Sequence, residues 1–202
     1  MGKLMIINGS PRAPKSNSRH YIQAFLSGWS GPYEQYSVVE KKHASCLERL
    51  EQCSDLLLVF PLYTDALPSG LMEFLQAALA QPPANKPKVH LVINCGFLEP
   101  EQNDVAVDMI RLFCERTGCP FVSCLRIGGG EGFPSTPFMG MVRRRLKKLA
   151  AAISRGRPIQ MKVSMPLTKG LFRKAANRYW LNRGQAFGVT QAQMSSLEIE
   201  DR

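Results

Sequence analysis

Between Glu131 and Glu198 the chain has no aspartate or glutamate, while Arg143, Arg144, Arg145, Lys147, Lys148, Arg155, Arg157, Lys162, Lys169, Arg173, Lys174, Arg178 and Arg183 all fall there. The formal net charge of +10 on 202 residues is therefore concentrated in the C-terminal third. Such a field attracts phosphates, nucleic acid or anionic lipid, and does not by itself choose among them. Cysteine is sparse and scattered: Cys46, Cys53, Cys95, Cys114, Cys119 and Cys124 contain no C-x-x-C and no tight ligand spacing. A zinc site and a disulfide framework are thus not expected, and buried free thiols are. No apolar run approaches the roughly 20 residues that span a bilayer. The opening "MGKLMIING" lacks the basic, apolar and small-residue order of a signal peptide. Ile6 stands where myristoylation needs Ser or Thr, and the expected location is cytoplasmic. The three histidines, His20, His43 and His90, have no G-x-S-x-G elbow to pair with, so a hydrolase triad is not expected.

What is present alternates. "KLMIIN" is a short apolar run stopped by Gly9, the pattern of a buried central strand before a glycine loop. Ser16 or Asn17 can cap a following helix whose Tyr21, Ile22, Phe25 and Leu26 make an apolar stripe ending near Gly28. Strands are then expected at "YEQYSVV", "DLLLVFPLY", "KVHLVINC" and "FVSCLRIGG". Helices are expected at "ASCLERLEQC", "PSGLMEFLQAALA", "VAVDMIRLFCER" and "FMGMVRRRLKKLAAAIS". Five strand–helix pairs make a parallel sheet with helices on both faces, and the length suits a doubly wound five-stranded sheet of order 2-1-3-4-5. That domain is expected over residues 1–155. Residues 156–202 read as a basic linker, "GRPIQMKVSMP", and a helical extension, "TKGLFRKAANRYWLNRG", with Leu171, Ala175, Tyr179 and Trp180 on or near one face. This last helix can cover an apolar patch on the domain or on a second subunit.

In an open sheet of this type ligands gather beyond the carboxyl ends of the strands, at the switch point between strands 1 and 3. Loops 9–18, 61–67, 95–100 and 128–133 meet there. The first comes within one residue of a triphosphate loop, since residues 9–16 read G-x-x-x-x-P-K-S. Pro14 removes an amide donor and fixes φ where the second glycine is required. The third strand ends Val59-Phe60-Pro61, with no carboxylate to hold Mg²⁺. No metal is expected, and restoring Gly at position 14 is not expected to create ATP binding. Ser10, Arg12, Ser16, Asn17 and Ser18 instead offer hydroxyl, amide and guanidinium donors beside the amides that open helix 1, a set suited to one phosphate monoester. The alternative is that the hydroxyls only cap the helix and turn the chain. "GGGEGF" is not G-x-G-x-x-G; its glycines either admit a ligand or form a flexible turn.

"GSPR" followed by "SNS", with "PLYTDALPSGL" after the third strand, resembles the flavodoxin-like NAD(P)H-dependent FMN reductases and the related iron-sulfur flavoproteins over about residues 3–155. The compact cysteine motif of the iron-sulfur members is absent, so no cluster is expected. The resemblance implies that Ser10, Arg12, Ser16, Asn17 and Ser18 hold the FMN phosphate. It implies that Pro61, Leu62, Tyr63, Thr64 and Asp65 lie along the isoalloxazine ring. Asn94, Cys95, Gly96 and Phe97 are candidate contacts on its other side, with Gly96 permitting close backbone approach. Tyr63 can be the flat wall a flavin needs or can pack under the next helix; Asp65 suits a turn or a helix cap better than acid catalysis.

The function implied is an FMN-dependent NAD(P)H oxidoreductase passing electrons to a quinone, flavin or other small acceptor. Because the cofactor carries the electron chemistry, no catalytic side chain is assigned. The alternatives are an FMN-holding electron carrier without its own NAD(P)H turnover, against which the basic charge stands, and a flavodoxin-like scaffold without flavin. A homo-oligomer is expected. The basic block on helix 5 reads as a solvated face, or as a site for a pyridine nucleotide's phosphates, an acidic partner or nonspecific nucleic acid. No nucleic-acid motif supports the last.

Overall fold

The computed structural model describes residues 2–196. Six strands, β1 (Leu4–Asn8), β2 (Tyr33–Ser37), β3 (Asp55–Pro61), β4 (Lys88–Asn94), β5 (Phe121–Ile127) and β6 (Ile159–Val163), form one sheet of order 2-1-3-4-5-6. Every neighbouring pair is parallel. The order 2-1-3-4-5 expected from the sequence is present, and the sheet has six strands rather than five. The sixth lies in the stretch that reads as a linker.

β6 pairs with β5, Ile127 standing opposite Val163, and its Met161 and Val163 are buried while Gln160 and Lys162 face solvent. Only one side of this edge strand is apolar, and a charged edge resists pairing with another chain. Five residues of weak alternation between a glycine and a proline are hard to tell from a linker.

The inner strands are buried on both faces. Met5, Ile7, Leu56, Leu58, Phe60, Leu91 and Ile93 share one apolar cluster with residues of α2 (His43–Leu50), α3 (Ser69–Ala80) and α4 (Asp104–Thr117). The alternate residues Leu4, Ile6, Leu57, Val59 and Leu125 are also buried, on the face served by α1 (Asn17–Leu26) and α5 (Met139–Ser154). Each fully buried Leu, Ile or Phe contributes about 1.5–3 kcal/mol. On α5, Val142, Leu146, Leu149 and Ile153 are buried, whereas Arg143, Arg144, Arg145, Lys147 and Lys148 are exposed, which makes the basic run a solvated helix face.

The strands end level: Asn8 stands beside Val59, Pro61 beside Asn94, and Asn94 beside Ile127. All four central loops therefore leave from one edge. A second compact unit begins at Pro166. It holds α6 (Lys169–Ala186), capped by the Thr168 hydroxyl, and the short α7 (Gln191–Ser195), whose Met194 lies against Gly184.

Candidate functional site

The loop after β1 is built from its own polar side chains. Asn8 Oδ1 accepts the Ser10 amide at 3.1 Å, and Ser10 Oγ accepts the Arg12 amide at 3.3 Å. These short-range bonds turn the chain and bury Ser10, which is 2% exposed. Gly9 is required by space: a Cβ there would stand 2.9 Å from Phe60 Cβ. Arg12, Pro14 and Lys15 are exposed at the rim. Ser16 caps α1, its Oγ accepting the Arg19 amide at 3.4 Å, as the sequence suggests.

The first turn of α1 contains no acidic residue. Its leading amides, those of Asn17 and Ser18, have no intrahelical acceptor, and with the helix dipole they favour an anion. Ser18 Oγ is buried and has no hydrogen-bond partner among the described residues. An orphaned buried hydroxyl costs about 1–3 kcal/mol, so it fits a site whose ligand supplies the missing acceptor. Together these donors suit an anion.

The loop after β3 is a tight reversal. Tyr63 and Ala66 exchange backbone bonds of 3.1 and 2.9 Å, enclosing Thr64 and Asp65 at φ of 49° and 56°. Both central residues are left-handed, the requirement of a type I′ turn, and a β-branched residue there is strained. Asp65 is thus a turn residue. Tyr63 is 38% exposed and does not lie buried under α3. The Leu62 amide donates to the Asn94 carbonyl at 2.7 Å, joining this loop to the one after β4.

In the β4 loop the four candidates separate. Asn94 is 3% exposed and its amide donates to the Phe60 carbonyl at 3.2 Å, making it a brace between strands. The Cys95 thiol lies beneath the loop, near the carbonyls of Phe97, Glu99 and Ile127, and receives the Asn103 amide at 3.4 Å. Burial pushes this thiol's pKa up, so it stays protonated. Gly96 faces open space, with nothing within 4 Å of a Cβ built on it, and Phe97 is 54% exposed. Tyr63, Thr64, Asp65, Gly96 and Phe97 are the exposed parts of these two loops, while Leu62 is half-buried and packs against the core.

"GGGEGF" has a packing task that the sequence does not reveal. A Cβ on Gly128 would stand 2.2 Å from the Leu98 carbonyl oxygen, and one on Gly130 2.6 Å from Asn94 Cβ. The loop crosses to α1, where Asn17 Nδ2 donates to the Glu131 carbonyl at 3.3 Å and the Tyr21 hydroxyl donates to the Gly130 carbonyl. Burial holds the Tyr21 phenol far above the ordinary tyrosine range, which keeps it a donor. Asn8, Tyr21 and Asn103 are thus site-building residues that reading for ligand donors misses. The one available signal is that a buried Tyr needs a partner for its hydroxyl.

The histidines lie elsewhere. His90 pairs with Asp55 at 3.0 Å, and Asp55 is the first residue of β3, at the edge opposite the loops. The His43 ring meets the Tyr36 hydroxyl at 2.7 Å. His20 lines a cleft of about 400 Å³ between α1 and α5 with Arg143 and Lys147.

No protein-family model matches the chain, and no curated protein is similar to it in sequence. Solved structures are. An FMN-dependent NADH-azoreductase from Bacillus anthracis, in complex with FMN, superposes with a TM-score of 0.60 at 14% identity, over 76% of this chain and 99% of the other. An NAD(P)H:quinone oxidoreductase from Methanothermobacter marburgensis gives 0.61 at 14% identity, over 75% and 95%. A Streptococcus pneumoniae flavodoxin gives 0.58 at 16% identity, over 77% and 99%. These likenesses establish the flavodoxin-like fold.

Proposed function

We propose that the chain is an FMN-dependent NAD(P)H oxidoreductase that passes electrons through its flavin to a quinone, a free flavin or another small acceptor. The observation that carries this reading is the orphaned Ser18 hydroxyl in the first turn of α1, on a sheet edge whose neighbouring loops expose Tyr63 and Phe97 around an open Gly96. Two of the structures that share the fold are named as NAD(P)H- or NADH-dependent reductases, one of them crystallised with FMN.

In this reading Ser10, Arg12, Ser16, Ser18 and the backbone amide of Asn17, whose side chain is tied to the Glu131 carbonyl, hold the phosphate, with Arg12 closing the rim as the charged donor. Pro61, Leu62, Tyr63, Thr64 and Asp65 line one side of the ring, and the rigid Thr64–Asp65 reversal fixes where Tyr63 stands. Gly96 and Phe97 meet the other side, supported from beneath by Asn94 and Cys95. Bound flavin supplies hydride acceptance and onward electron transfer. The chain's own contribution is to hold, orient and desolvate, so no side chain is assigned a proton-transfer step. The protein acts in the cytoplasm, as a homo-oligomer.

The test is anaerobic. Purified chain is loaded with FMN, and NADH or NADPH is mixed in while the flavin's visible absorption is followed. Bleaching by either nucleotide, and recovery on adding a quinone, is the expected result. FMN binding with no bleaching by either nucleotide would leave an electron carrier, and failure to bind FMN would leave a scaffold without flavin.

A further inference from the structure

We propose that the cleft between α1 and α5 is a binding site for the phosphorylated ribose of a nucleotide, separate from the flavin cradle. This goes beyond the oxidoreductase reading and does not depend on flavin. Within the basic run of α5, Arg143 and Lys147 stand four residues apart and both line the cleft, whereas Arg144, Arg145 and Lys148 do not. Like charges at that spacing repel. Among the described residues neither side chain forms an ion pair, and no carboxylate lines the cleft. An anion seated between them removes the repulsion and gains charge-assisted hydrogen bonds.

The facing side of α1 carries groups of the same kind. His20, Gln23 and Ser27 lie three and four residues apart, which sets them in one row along the helix. The Ser27 hydroxyl is satisfied by the Ala24 carbonyl at 2.8 Å, and the His20 imidazole and the Gln23 amide are the exposed polar groups that remain. At one end the two helices close together. A Cβ on Gly28 would stand 3.0 Å from Lys147 Cγ and 3.1 Å from its Cα, which places Lys147 against the end of α1. At the other end Pro134 and Met139 supply apolar surface that a bare phosphate would not use. The volume of about 400 Å³ falls within the roughly 300–1,000 Å³ of small-molecule sites, so a sugar and base fit beside the phosphate. His20 lies one turn beyond the Ser16–Asn17 start of α1, so the cleft adjoins the proposed flavin cradle and shares no residue with it.

Calorimetric titration of the full chain, with and without saturating FMN, tests the site with adenosine 2′,5′-bisphosphate, inorganic phosphate and adenosine as probes. The bisphosphate is expected to bind at least about tenfold tighter than either of the others, to weaken with salt, and to keep its affinity when FMN is present. Combined Arg143→Ala and Lys147→Ala should weaken it about 10- to 100-fold. Combined Arg144→Ala and Lys148→Ala removes the same charge from the same helix outside the cleft and should change it less than about twofold. All four side chains are exposed, so the far-ultraviolet circular dichroism of both variants should match the wild type. In the FMN-loaded chain, inhibition by the bisphosphate of flavin reduction by NADPH but not by NADH would identify the ligand as NADPH, with its 2′-phosphate on Arg143 and Lys147. Binding without such competition would identify a free nucleotide, and either result supports the site. If neither nucleotide reduces the flavin, the oxidoreductase reading fails while the titration still decides the cleft. No binding of the bisphosphate, displacement of it by FMN, inorganic phosphate binding as tightly, or equal losses in the two double variants overturns the proposal.

Discussion

The Tyr21 hydroxyl donates to the carbonyl of Gly130, joining the middle of α1 to the glycine loop after β5 across a sequence separation of 109 residues. The phenol is fully buried, so removing it leaves the Gly130 carbonyl with the long 3.5 Å bond from Asn17 Nδ2. Tyr21→Phe is expected to cost about 1–3 kcal/mol of unfolding free energy. Urea denaturation measures it. A change below about 0.5 kcal/mol would show that solvent replaces the bond, and that the loop is looser than the structure has it.

Which parts were legible follows from how local their causes are. β1, β3 and β4 announce themselves as unbroken apolar runs because both faces are covered, and Ser16 announces α1 because its capping bond spans only three residues. β6 is hidden by being an edge strand, with Gln160 and Lys162 as polar as any linker. The glycines at 128 and 130 read as flexibility, yet the backbone of Leu98 and the side chain of Asn94 are what require them. Cys95 reads as a ring contact from its place after a strand; its thiol turns inward to carbonyls that the sequence does not place beside it.

All six cysteines are free and buried. Burial pushes the thiol of Cys46 up to about 12, that of Cys114 to about 12 and that of Cys124 to about 11. At neutral pH their reactive thiolates are scarce as well as covered. A thiol-reactive dye should therefore label native protein far more slowly than denatured protein, which should release six equivalents. Rapid native labelling of Cys95, located by peptide mapping, would contradict its place beneath the loop.

Asp55 links pH to stability. Burial raises its pKa, but the bonds from His90 and Ser54 outweigh burial and hold it below the ordinary 3.8. A carboxyl depressed in the folded state contributes stability above its unfolded pKa and loses it as pH falls through the folded value. Unfolding free energy should therefore fall on acidification from about pH 5 to about pH 3, and Asp55→Asn should flatten that slope. An unchanged slope in the variant would place the acid sensitivity at other carboxylates.

The proposed homo-oligomer can be tested at one apolar groove. Leu67, Met72, Leu75, Leu79, Met109, Leu112 and Phe113 line an apolar groove of about 250 Å³ between α3 and α4, with Met72 37% and Leu112 48% exposed. Burying such a face against a second copy removes it from water. Leu112→Glu should convert the assembly to monomer in light scattering while leaving the far-ultraviolet circular dichroism of the folded chain unchanged, since the side chain is half exposed in the single chain. A wild-type chain that is monomeric at high concentration would remove the oligomer from the proposal.

The proposed phosphate cradle makes the narrowest prediction, because two of its residues should lose FMN affinity without loss of stability. Ser18 holds a buried hydroxyl without a partner, so in the free protein Ser18→Ala should be neutral or stabilising by up to about 1–2 kcal/mol. The same change should weaken FMN about tenfold, the loss of one hydrogen bond to a charged group. Arg12 is exposed at the rim, so Arg12→Ala should leave stability within about 0.5 kcal/mol while weakening FMN by about 10- to 100-fold. Riboflavin has the ring without the phosphate, and its affinity should be unchanged by either substitution. Fluorescence titration of both flavins against both variants separates the cases. Equal losses for FMN and riboflavin would place these side chains at the ring, and no loss for either would move the phosphate away from α1.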